Sequence, residues 1–279
     1  MHFLLNSISS LTGAQIFLIF ILYSFIGWIS EVLYVGIFFE HKFVNRGFLH
    51  GPLCPIYGAG GLVVLLLPQN LKDTWVPLFI YVMILCSIVE YAGSWIMEKL
   101  FHTKWWDYSN YKMNLNGRVC MRNSLLFGLM GMLAVHFVQP PVEEIIFQLN
   151  SALTINIATV LFLAFTADLL VTVRKLVDFN MIMTRLHEFS ETLKDRYGNE
   201  EWFRKSSFTE MLQSLHEKME ADHSAFSKSM QEKIVELTER QKNLERFIKK
   251  FPSMRSEHYK EQISHIRHNL QNLKKQRQR

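Results

Sequence analysis

The chain has 279 residues, of which 49% are hydrophobic and 20% are charged, and its net charge is +5. The charge is divided unevenly: residues 1–173 carry 8 Lys and Arg against 9 Asp and Glu, and residues 174–279 carry the remaining 22 and 16. This segregation excludes a single globular fold. The apolar, aromatic-rich first part argues against disorder, and the odd number of cysteines, three, argues against a secreted disulfide scaffold.

Five apolar segments in the first part are candidates for membrane spans. The first, residues 16–39, has 24 residues and a single charge, Glu31, whereas about 20 apolar residues suffice to cross a bilayer. No Lys or Arg precedes it, so we do not expect it to be a cleavable signal peptide. The second is the weakest because Pro55, Gly58, Gly60 and Gly61 all fall within its first ten residues. The other four segments are residues 52–68, 76–97, 124–138 and 155–173.

These segments predict an all-α protein whose residues 1–175 form a polytopic helical membrane bundle of about five transmembrane helices. Three connecting segments are rich in Lys and Arg, and the three that alternate with them carry one such residue, Lys72. The basic segments are 40–51, 99–123 and the residues after 173; the others are 1–14, 69–75 and 139–154. Because basic residues mark the cytoplasmic side, we expect the N-terminus outside the cytoplasmic membrane and the C-terminal tail inside.

Residues 176–279 have the pattern of amphipathic helices in water. Apolar residues recur with 4-3 spacing on both sides of Pro252, which ends a helix. The repeating positions are Met230, Ile234, Leu237, Leu244, Ile248 and Phe251, then Tyr259, Ile263, Ile266, Leu270 and Leu273, with an earlier set at Phe208, Leu212, Leu215 and Met219. This pattern predicts a cytoplasmic, coiled-coil-like helical tail with a heptad hairpin, either a packed helical domain or a device for oligomerisation or partner binding. Its mixed charges without interleaved aromatics argue against nucleic-acid binding.

Two predicted spans carry a polar stripe that contains a carboxylate. Ser24, Gly27, Trp28 and Glu31 share one helix face, and Ser87, Glu90, Tyr91 and Ser94 repeat the same spacing. An ionisable residue in a membrane costs about 2.5–3.5 kcal/mol and usually faces the bundle interior. The candidate intramembrane polar site is therefore Glu31, Glu90, Trp28 and Tyr91. The alternative is that each carboxylate is protonated or hydrogen-bonded and only fixes the helix register. A third carboxylate, Asp168, is expected near the membrane interface.

The two predicted cytoplasmic loops between spans are unusually rich in Gly, Pro and polar residues. Such backbone can direct N–H groups toward an anion. Tryptophan and tyrosine are ordinary at a membrane boundary, but that does not explain Asp107 or the Asn-Gly-Arg turn at 116–118. The candidate loop site comprises Asn45, Arg46, His50, Tyr57, Trp106, Asp107, Tyr108, Asn116 and Arg118.

Motifs of soluble catalysis are missing from the sequence, which has no P-loop, CxxC, HExxH or GxSxG. Several histidines (His41, His50, His102 and His136) lack metal-ligand spacing. We therefore expect the protein to bind no metal and no cofactor. In the leading interpretation the protein is not an enzyme. The chain cannot hydrolyse ATP by itself in the P-loop manner.

Several of these motifs occur together in a fixed order. They are Gly27-Trp28 with Glu31, Asn45-Arg46-Gly47, Gly51-Pro52, Pro55-Ile56-Tyr57-Gly58, Glu90-Tyr91, Trp106-Asp107-Tyr108-Ser109 and Asn116-Gly117-Arg118. Over residues 15–173 the chain resembles the type IV ABC-transporter permease family, the CmpB-like membrane proteins. The resemblance implies a multi-span protein of a bacterial cytoplasmic membrane that serves as a transporter component. It implies no substrate and does not cover the tail.

Three interpretations of the function follow from these features. The leading one is a permease-like or transport-associated subunit in the lipid bilayer, served by a separate ABC ATPase and forming a homodimer if it builds a pathway. The second is a membrane-embedded lipid-modifying enzyme at the cytoplasmic interface, in which Arg46 and Arg118 hold an anionic group and Asp107 or His50 moves a proton. The third is a sensor or scaffold that recruits partners through its tail.

Overall fold

The computed structural model describes residues 11–36, 45, 47–65, 67 and 69–197, together with residues 248, 251, 253–256, 259–260, 263–264 and 266–267 of the tail. This described part is mostly helical, as the sequence predicted. Its elements are α1 (Gly13–Val35), α2 (Pro55–Leu65), α3 (Gln69–Lys72), α4 (Trp75–Phe101), β1 (Asn114–Leu115), β2 (Val119–Cys120), α5 (Met121–Leu133), a π-helical segment (Ala134–Val138), α6 (Gln139–Gln148) and α7 (Ser151–Tyr197).

Four helical stretches among the described residues are long and apolar enough to cross a membrane. They are Gly13–Tyr34, Trp75–Phe101, Met121–Gln148 and Ser151–Arg185. The shortest has 22 residues, which at 1.5 Å per residue gives about 33 Å, against a hydrocarbon core of about 30 Å. The third stretch joins α5, the π-helical segment and α6, and is therefore longer than the predicted span at 124–138.

The predicted second span, residues 52–68, forms a shorter helix than a bilayer crossing requires. Within it, α2 has 11 residues and a length of about 16 Å, roughly half of the hydrocarbon thickness. Proline at position 55 suits the first turn of a helix, where its missing N–H leaves no bond unmade, so α2 begins there. The five predicted spans thus correspond to four helical stretches of membrane length and one half-length helix among the described residues.

Glycines bring α2 into close contact with α1. A Cβ atom on Gly58 would overlap the side chains of Ser24 and Phe20, and one on Gly61 would overlap the ring of Tyr23. Small residues allow two helices to approach closely in a membrane, where packing replaces the hydrophobic effect as the main attraction. The glycines that weaken residues 52–68 as an apolar span therefore serve the packing of a short helix.

The non-helical segment before α2 lies beside the middle of α1. The backbone N–H of Cys54 donates to the carbonyl of Ser24 at 2.9 Å, and the indole N–H of Trp28 donates to the Asn45 side chain at 2.8 Å. Ser24 and Trp28 fall 11 and 15 residues after the start of a 23-residue helix. Irregular backbone at membrane depth is tolerated only where protein surrounds it or where it lines a wet cavity.

A short hairpin precedes α5. Asn114 pairs with Cys120 and Leu115 with Val119, and the N–H of Arg118 donates to the carbonyl of Leu115 at 3.0 Å. The two residues at the tip, Asn116 and Gly117, have φ values of 55° and 69°. A turn of this kind requires positive φ at both positions, which is why Asn-Gly favours it.

The described residues fall into two compact units. The first comprises residues up to 100 and residues 106–174, and the second comprises residues 101–105 and residues from 175 onward. In the first unit, one apolar core gathers Leu18, Ile19, Tyr23, Val142, Ile146 and Ala158. A second gathers Leu67, Leu78, Val82 and Val135.

The second unit is organised around the short turn at 101–105. Trp105 is buried there and packs edge-on against Phe251 with ring centroids 4.7 Å apart. Lys104 and Arg255 exchange two backbone hydrogen bonds of 2.8 and 2.9 Å. The described positions of the predicted heptad pattern other than Phe251 are buried, namely Ile248, Tyr259, Ile263 and Ile266. The remaining heptad positions lie outside the described residues.

Candidate functional site

The first intramembrane carboxylate, Glu31, is joined to α2 by a tyrosine. Gly27 lies one turn before Glu31 on α1, and the ring of Tyr57 occupies the space where a side chain on Gly27 would stand. The Tyr57 hydroxyl therefore reaches Glu31 and donates a hydrogen bond of 2.7 Å to its carboxylate. The spacing of Gly27 and Glu31 thus positions a neutral donor on the carboxylate.

The second carboxylate, Glu90, is buried on α4 with 6% of its surface exposed. It accepts a hydrogen bond of 3.2 Å from the hydroxyl of Tyr108. The backbone N–H of Tyr108 donates to the carbonyl of Gly117 at 2.8 Å, which ties this tyrosine to the hairpin. A loop residue thus reaches a carboxylate that lies 11 residues before the end of α4.

The carboxylates of Glu31 and Glu90 both influence the Tyr108 hydroxyl. Burial raises the pKa of the Tyr108 hydroxyl well above its ordinary value, Glu90 raises it further, and Glu31 contributes as well. The hydroxyl therefore stays protonated and acts as a donor at physiological pH. Glu31 and Glu90 lie 18 and 15 residues after the starts of their helices, or about 27 and 22 Å along them. We call Glu31, Tyr57, Glu90 and Tyr108 the carboxylate–tyrosine cluster.

Two buried oxygen atoms next to this cluster lack a hydrogen-bond partner among the described residues. They are Oε2 of Glu90 and Oγ of Ser94. Ser94 follows Glu90 by four residues on α4, so both side chains lie on the same helix face. The described basic residues form no salt bridge with Glu31 or Glu90. The cluster therefore has unused acceptor capacity.

Asn45 organises the first loop. Its side-chain oxygen accepts from Trp28 at 2.8 Å and from the backbone N–H of Gly47 at 3.0 Å. Its side-chain amide donates to the carbonyl of His50 at 3.0 Å. The sequence predicts Trp28 in the intramembrane site and Asn45 in the loop site, and the structure brings the two residues into direct contact. Arg46 lies outside the described residues.

Asp168 on α7 fixes the other end of this loop. Its carboxylate accepts from the backbone N–H groups of His50 at 3.1 Å and Gly51 at 2.8 Å. The His50 ring lies 3.2 Å from the Thr172 hydroxyl and 3.8 Å from Asp168. The sequence predicts only an interfacial position for Asp168. The signal for its contact with the loop was a carboxylate within a predicted span, together with a loop glycine, Gly51, that can present its backbone N–H.

The hairpin is held against α4 by a second group of contacts. Asn116 donates to the Tyr91 hydroxyl at 2.9 Å, and the guanidinium of Arg118 lies over the Tyr91 ring at 5.2 Å from its centroid. Arg118 forms an ion pair with Glu98, a residue that the sequence analysis did not include. Trp106 donates from its indole to the carbonyl of Arg118 at 3.0 Å. Arg118 is therefore already paired with a carboxylate of its own chain.

Asp107 shapes a turn. Its carboxylate accepts from the backbone N–H of Ser109 at 3.0 Å and from the Ser109 hydroxyl at 2.5 Å. A Cβ on Gly117 would overlap both Asp107 and Ser109, so the turn and the hairpin tip pack directly on each other. These contacts explain the aspartate structurally, as an Asx-type turn.

The described residues contain no group of three or more His, Cys, Asp or Glu side chains that could hold a metal ion. The polar contacts instead link transmembrane helices to the two irregular segments. Asn45 and His50 belong to the irregular segment before α2, Tyr57 to the first turn of α2 itself, and Tyr108, Asn116 and Arg118 to the irregular segment before α5. Both segments fold back along helices that also carry the carboxylates.

A comparison with protein families identifies the family of this chain. The model of the family described as "Putative ABC-transporter type IV" matches residues 18–173, which are 156 of the 279 residues. The matched range contains every residue of the carboxylate–tyrosine cluster and both irregular segments, and it ends before the tail. No curated protein and no solved structure matches the chain.

Proposed function

Because the chain belongs to the ABC-transporter type IV family, we propose that it is a permease-like membrane subunit with the carboxylate–tyrosine cluster on its transport path. Family membership and four apolar helices of membrane length make it a membrane protein associated with transport. The observation that carries the finer proposal is the orphaned Oε2 atom of buried Glu90. An ionisable group in a span is costly and is typically retained for an ion or substrate path.

A separate ATPase subunit would supply the energy. The 279 residues contain no P-loop, and we therefore assign nucleotide hydrolysis to a separate subunit. A partner of this kind would bind on the cytoplasmic side, where we place the tail. A bundle of this size is small for a pathway, and two copies are therefore expected to assemble as a homodimer.

The proposed orientation has the N-terminus outside the bacterial cytoplasmic membrane and the tail in the cytoplasm. The alternation of basic segments supports it, and α2 takes the place of the second predicted span as a half-length helix. When α2 is counted as the second crossing, α1 and α4 run in the same direction across the membrane. Both irregular segments then begin on the cytoplasmic side and fold back toward the cluster.

The alternative of a lipid-modifying enzyme has less support, because two of the side chains that would bind the lipid or move the proton are occupied by other contacts. Arg118, which would hold an anionic headgroup, pairs with Glu98. Asp107, which would move a proton, accepts two hydrogen bonds from Ser109. The scaffold alternative assigns the function to the tail and predicts no role for the cluster.

Purification of the full-length chain with its natural partners tests the proposed function. Cells that express a C-terminally tagged chain at its natural level are solubilised in mild detergent, and bound proteins are identified and quantified. We expect an ABC-type ATPase subunit in fixed ratio to the chain. A matched preparation of an unrelated multi-span protein controls for nonspecific recovery. Recovery of the intact chain without any ATPase subunit would contradict the proposal.

A further inference from the structure

The unused acceptors on α4 suggest the chemical class of a ligand. Glu90 uses one carboxylate oxygen to accept from Tyr108, and its other oxygen is buried without a partner. Ser94 is 1% exposed, and its hydroxyl oxygen is likewise buried without a partner. A polar atom that is buried on folding loses its hydrogen bonds to water, and this costs free energy when no other partner replaces them. An ionised carboxylate oxygen can only accept, and the Ser94 hydroxyl one helical turn away can accept as well as donate, so the pair fits a ligand that donates.

The charge of the cluster adds a second requirement. Tyr57 on α2 binds the Glu31 carboxylate, and α2 contacts α4, the helix that carries Glu90, where a Cβ on Gly93 would lie 3.5 Å from Ile56. The hydrogen-bond donors that reach the two carboxylates, Tyr57 and Tyr108, are neutral. A buried carboxylate such as that of Glu90 resists ionisation unless a positive charge stands beside it. The described residues supply no ion pair to either one.

We propose that the carboxylate–tyrosine cluster, together with Ser94, binds one organic ammonium ion that carries N–H donors. Glu90 supplies negative charge and an acceptor through Oε2, Ser94 supplies a second acceptor, and Glu31 supplies the remaining charge. As a statement about transported cargo, the proposal rests on the proposed function; as a statement about binding, it stands on these contacts alone.

The remaining members of the cluster act as positioning residues. Tyr57 holds the Glu31 carboxylate by one oxygen, and Tyr108 does the same for Glu90. Each carboxylate is therefore fixed in orientation before a ligand arrives, which lowers the entropy cost of binding. A hard divalent cation fits less well, because it requires six or more oxygen ligands and the described residues form no group of three metal-binding side chains.

Equilibrium binding of radiolabelled ethylammonium to the purified full-length chain in detergent tests the proposal. We expect saturable binding at one ion per chain. Glu90→Gln should weaken the binding by roughly tenfold or more, because it removes the negative charge and replaces one carboxylate oxygen by an amide group that cannot accept from the ligand. Ser94→Ala should weaken it by a smaller factor. Glu144→Gln, the same chemical change at an exposed residue of α6, should leave it unaltered.

A competition experiment separates N–H donation from charge alone. Unlabelled methylammonium should displace the probe, whereas tetramethylammonium, which has the charge but no N–H group, should displace it poorly. Equal competition by both ions would overturn the proposal, as would equal affinity in the Glu90→Gln chain. A cluster that holds only water or a shared proton would show no saturable binding at any pH tested, and that result would also overturn it.

Folding and transport are checked separately from binding. The thermal unfolding midpoint of each variant is measured without ligand, and if Glu90→Gln does not fold, unchanged affinity in the Ser94→Ala chain overturns the proposal. The binding measurement requires no ATPase subunit. Failure to recover an ATPase would therefore contradict the proposed function while leaving the ammonium site supported, and loss of binding alone would do the reverse.

Discussion

The hydroxyl of Tyr108 donates a hydrogen bond of 3.2 Å to the carboxylate of Glu90 and so joins a loop residue to a buried group on a membrane-length helix. The two residues are 18 positions apart in sequence, and the chain must leave α4 and turn back before they can meet. Tyr57 makes the same kind of contact with Glu31. In each case the chain returns along a helix and places a neutral donor on its carboxylate, from an irregular segment for Tyr108 and from the first turn of α2 for Tyr57.

Asp168 should stabilise the first irregular segment. Asp168→Asn weakens the acceptor for two backbone N–H groups, those of His50 and Gly51, by removing its charge. Hydrogen bonds to a charged group contribute about 1.5–3 kcal/mol when they are largely buried, so we expect a loss of about 2 kcal/mol in the free energy of unfolding. The measurement is thermal or denaturant unfolding of the purified chain. Glu144→Gln, a similar change at an exposed residue, is the control and should leave the stability unaltered. If Asp168→Asn also leaves the free energy of unfolding unchanged, the loop is held by other contacts.

Gly27 should be required for the position of Tyr57. A Cβ on Gly27 would overlap the Tyr57 ring, so Gly27→Ala must displace that ring and lengthen its bond to Glu31. Overpacking of this kind costs about 1–3 kcal/mol. Gly13→Ala provides a matched control on the same helix, because a Cβ there meets no atom within 4 Å. Comparison of the two unfolding midpoints is the measurement, and equal midpoints would contradict the packing of α1 on α2.

Ile263 should be essential to the second unit. It is 3% exposed, and Ile263→Asp would place a charge among apolar side chains. We expect a loss of several kcal/mol, as for other unpaired charges in cores. Limited proteolysis of the full-length chain measures the effect through faster cleavage after residue 175. Lys260→Asp introduces the same side chain at an exposed position and should leave the cleavage pattern unchanged. Equal cleavage of both variants would refute a buried role for Ile263.

Reporter fusions should reveal the proposed orientation. A reporter that works only outside the membrane should be active when fused at the N-terminus or after residue 72 or 145. It should be silent after residue 45, 112 or 200, because those segments are basic or belong to the tail. The fusion after residue 112 is decisive: activity there would place the Tyr108 segment outside and remove both irregular segments from a common side.

Local sequence patterns predicted the helical class and the stripes that carry the carboxylates. The 3.6-residue period places Glu31 and Trp28 on one face of α1 and Glu90 and Tyr91 on one face of α4, because a helix makes these positions neighbours wherever it sits. Apolar length likewise predicted the helices of membrane length. Both inferences use interactions within a single element, which sequence spacing describes directly.

The contacts between elements were not predictable in the same way. The ion pair of Arg118 with Glu98 and the bonds of Asp168 to the first loop depend on where the loops turn back. The half-length of α2 depends on packing against α1, which no hydropathy window measures. The sequence predicted Arg118 and Asp107 only as members of the loop site. In the structure Arg118 pairs with Glu98 through a tertiary contact, and Asp107 accepts from Ser109 within a local turn.

The most direct test of the carboxylate–tyrosine cluster is a complementation assay with Glu31→Gln and Glu90→Gln. Glutamine keeps the shape of the side chain and most of its hydrogen bonding, so a carboxylate that only fixes helix register should tolerate the change. Because a transport path requires the charge, we predict that each variant loses activity while its expression and detergent melting stay near those of the wild type. Full activity in both variants would contradict a role for the cluster in transport, and loss of folded protein in both would assign the carboxylates to structure alone.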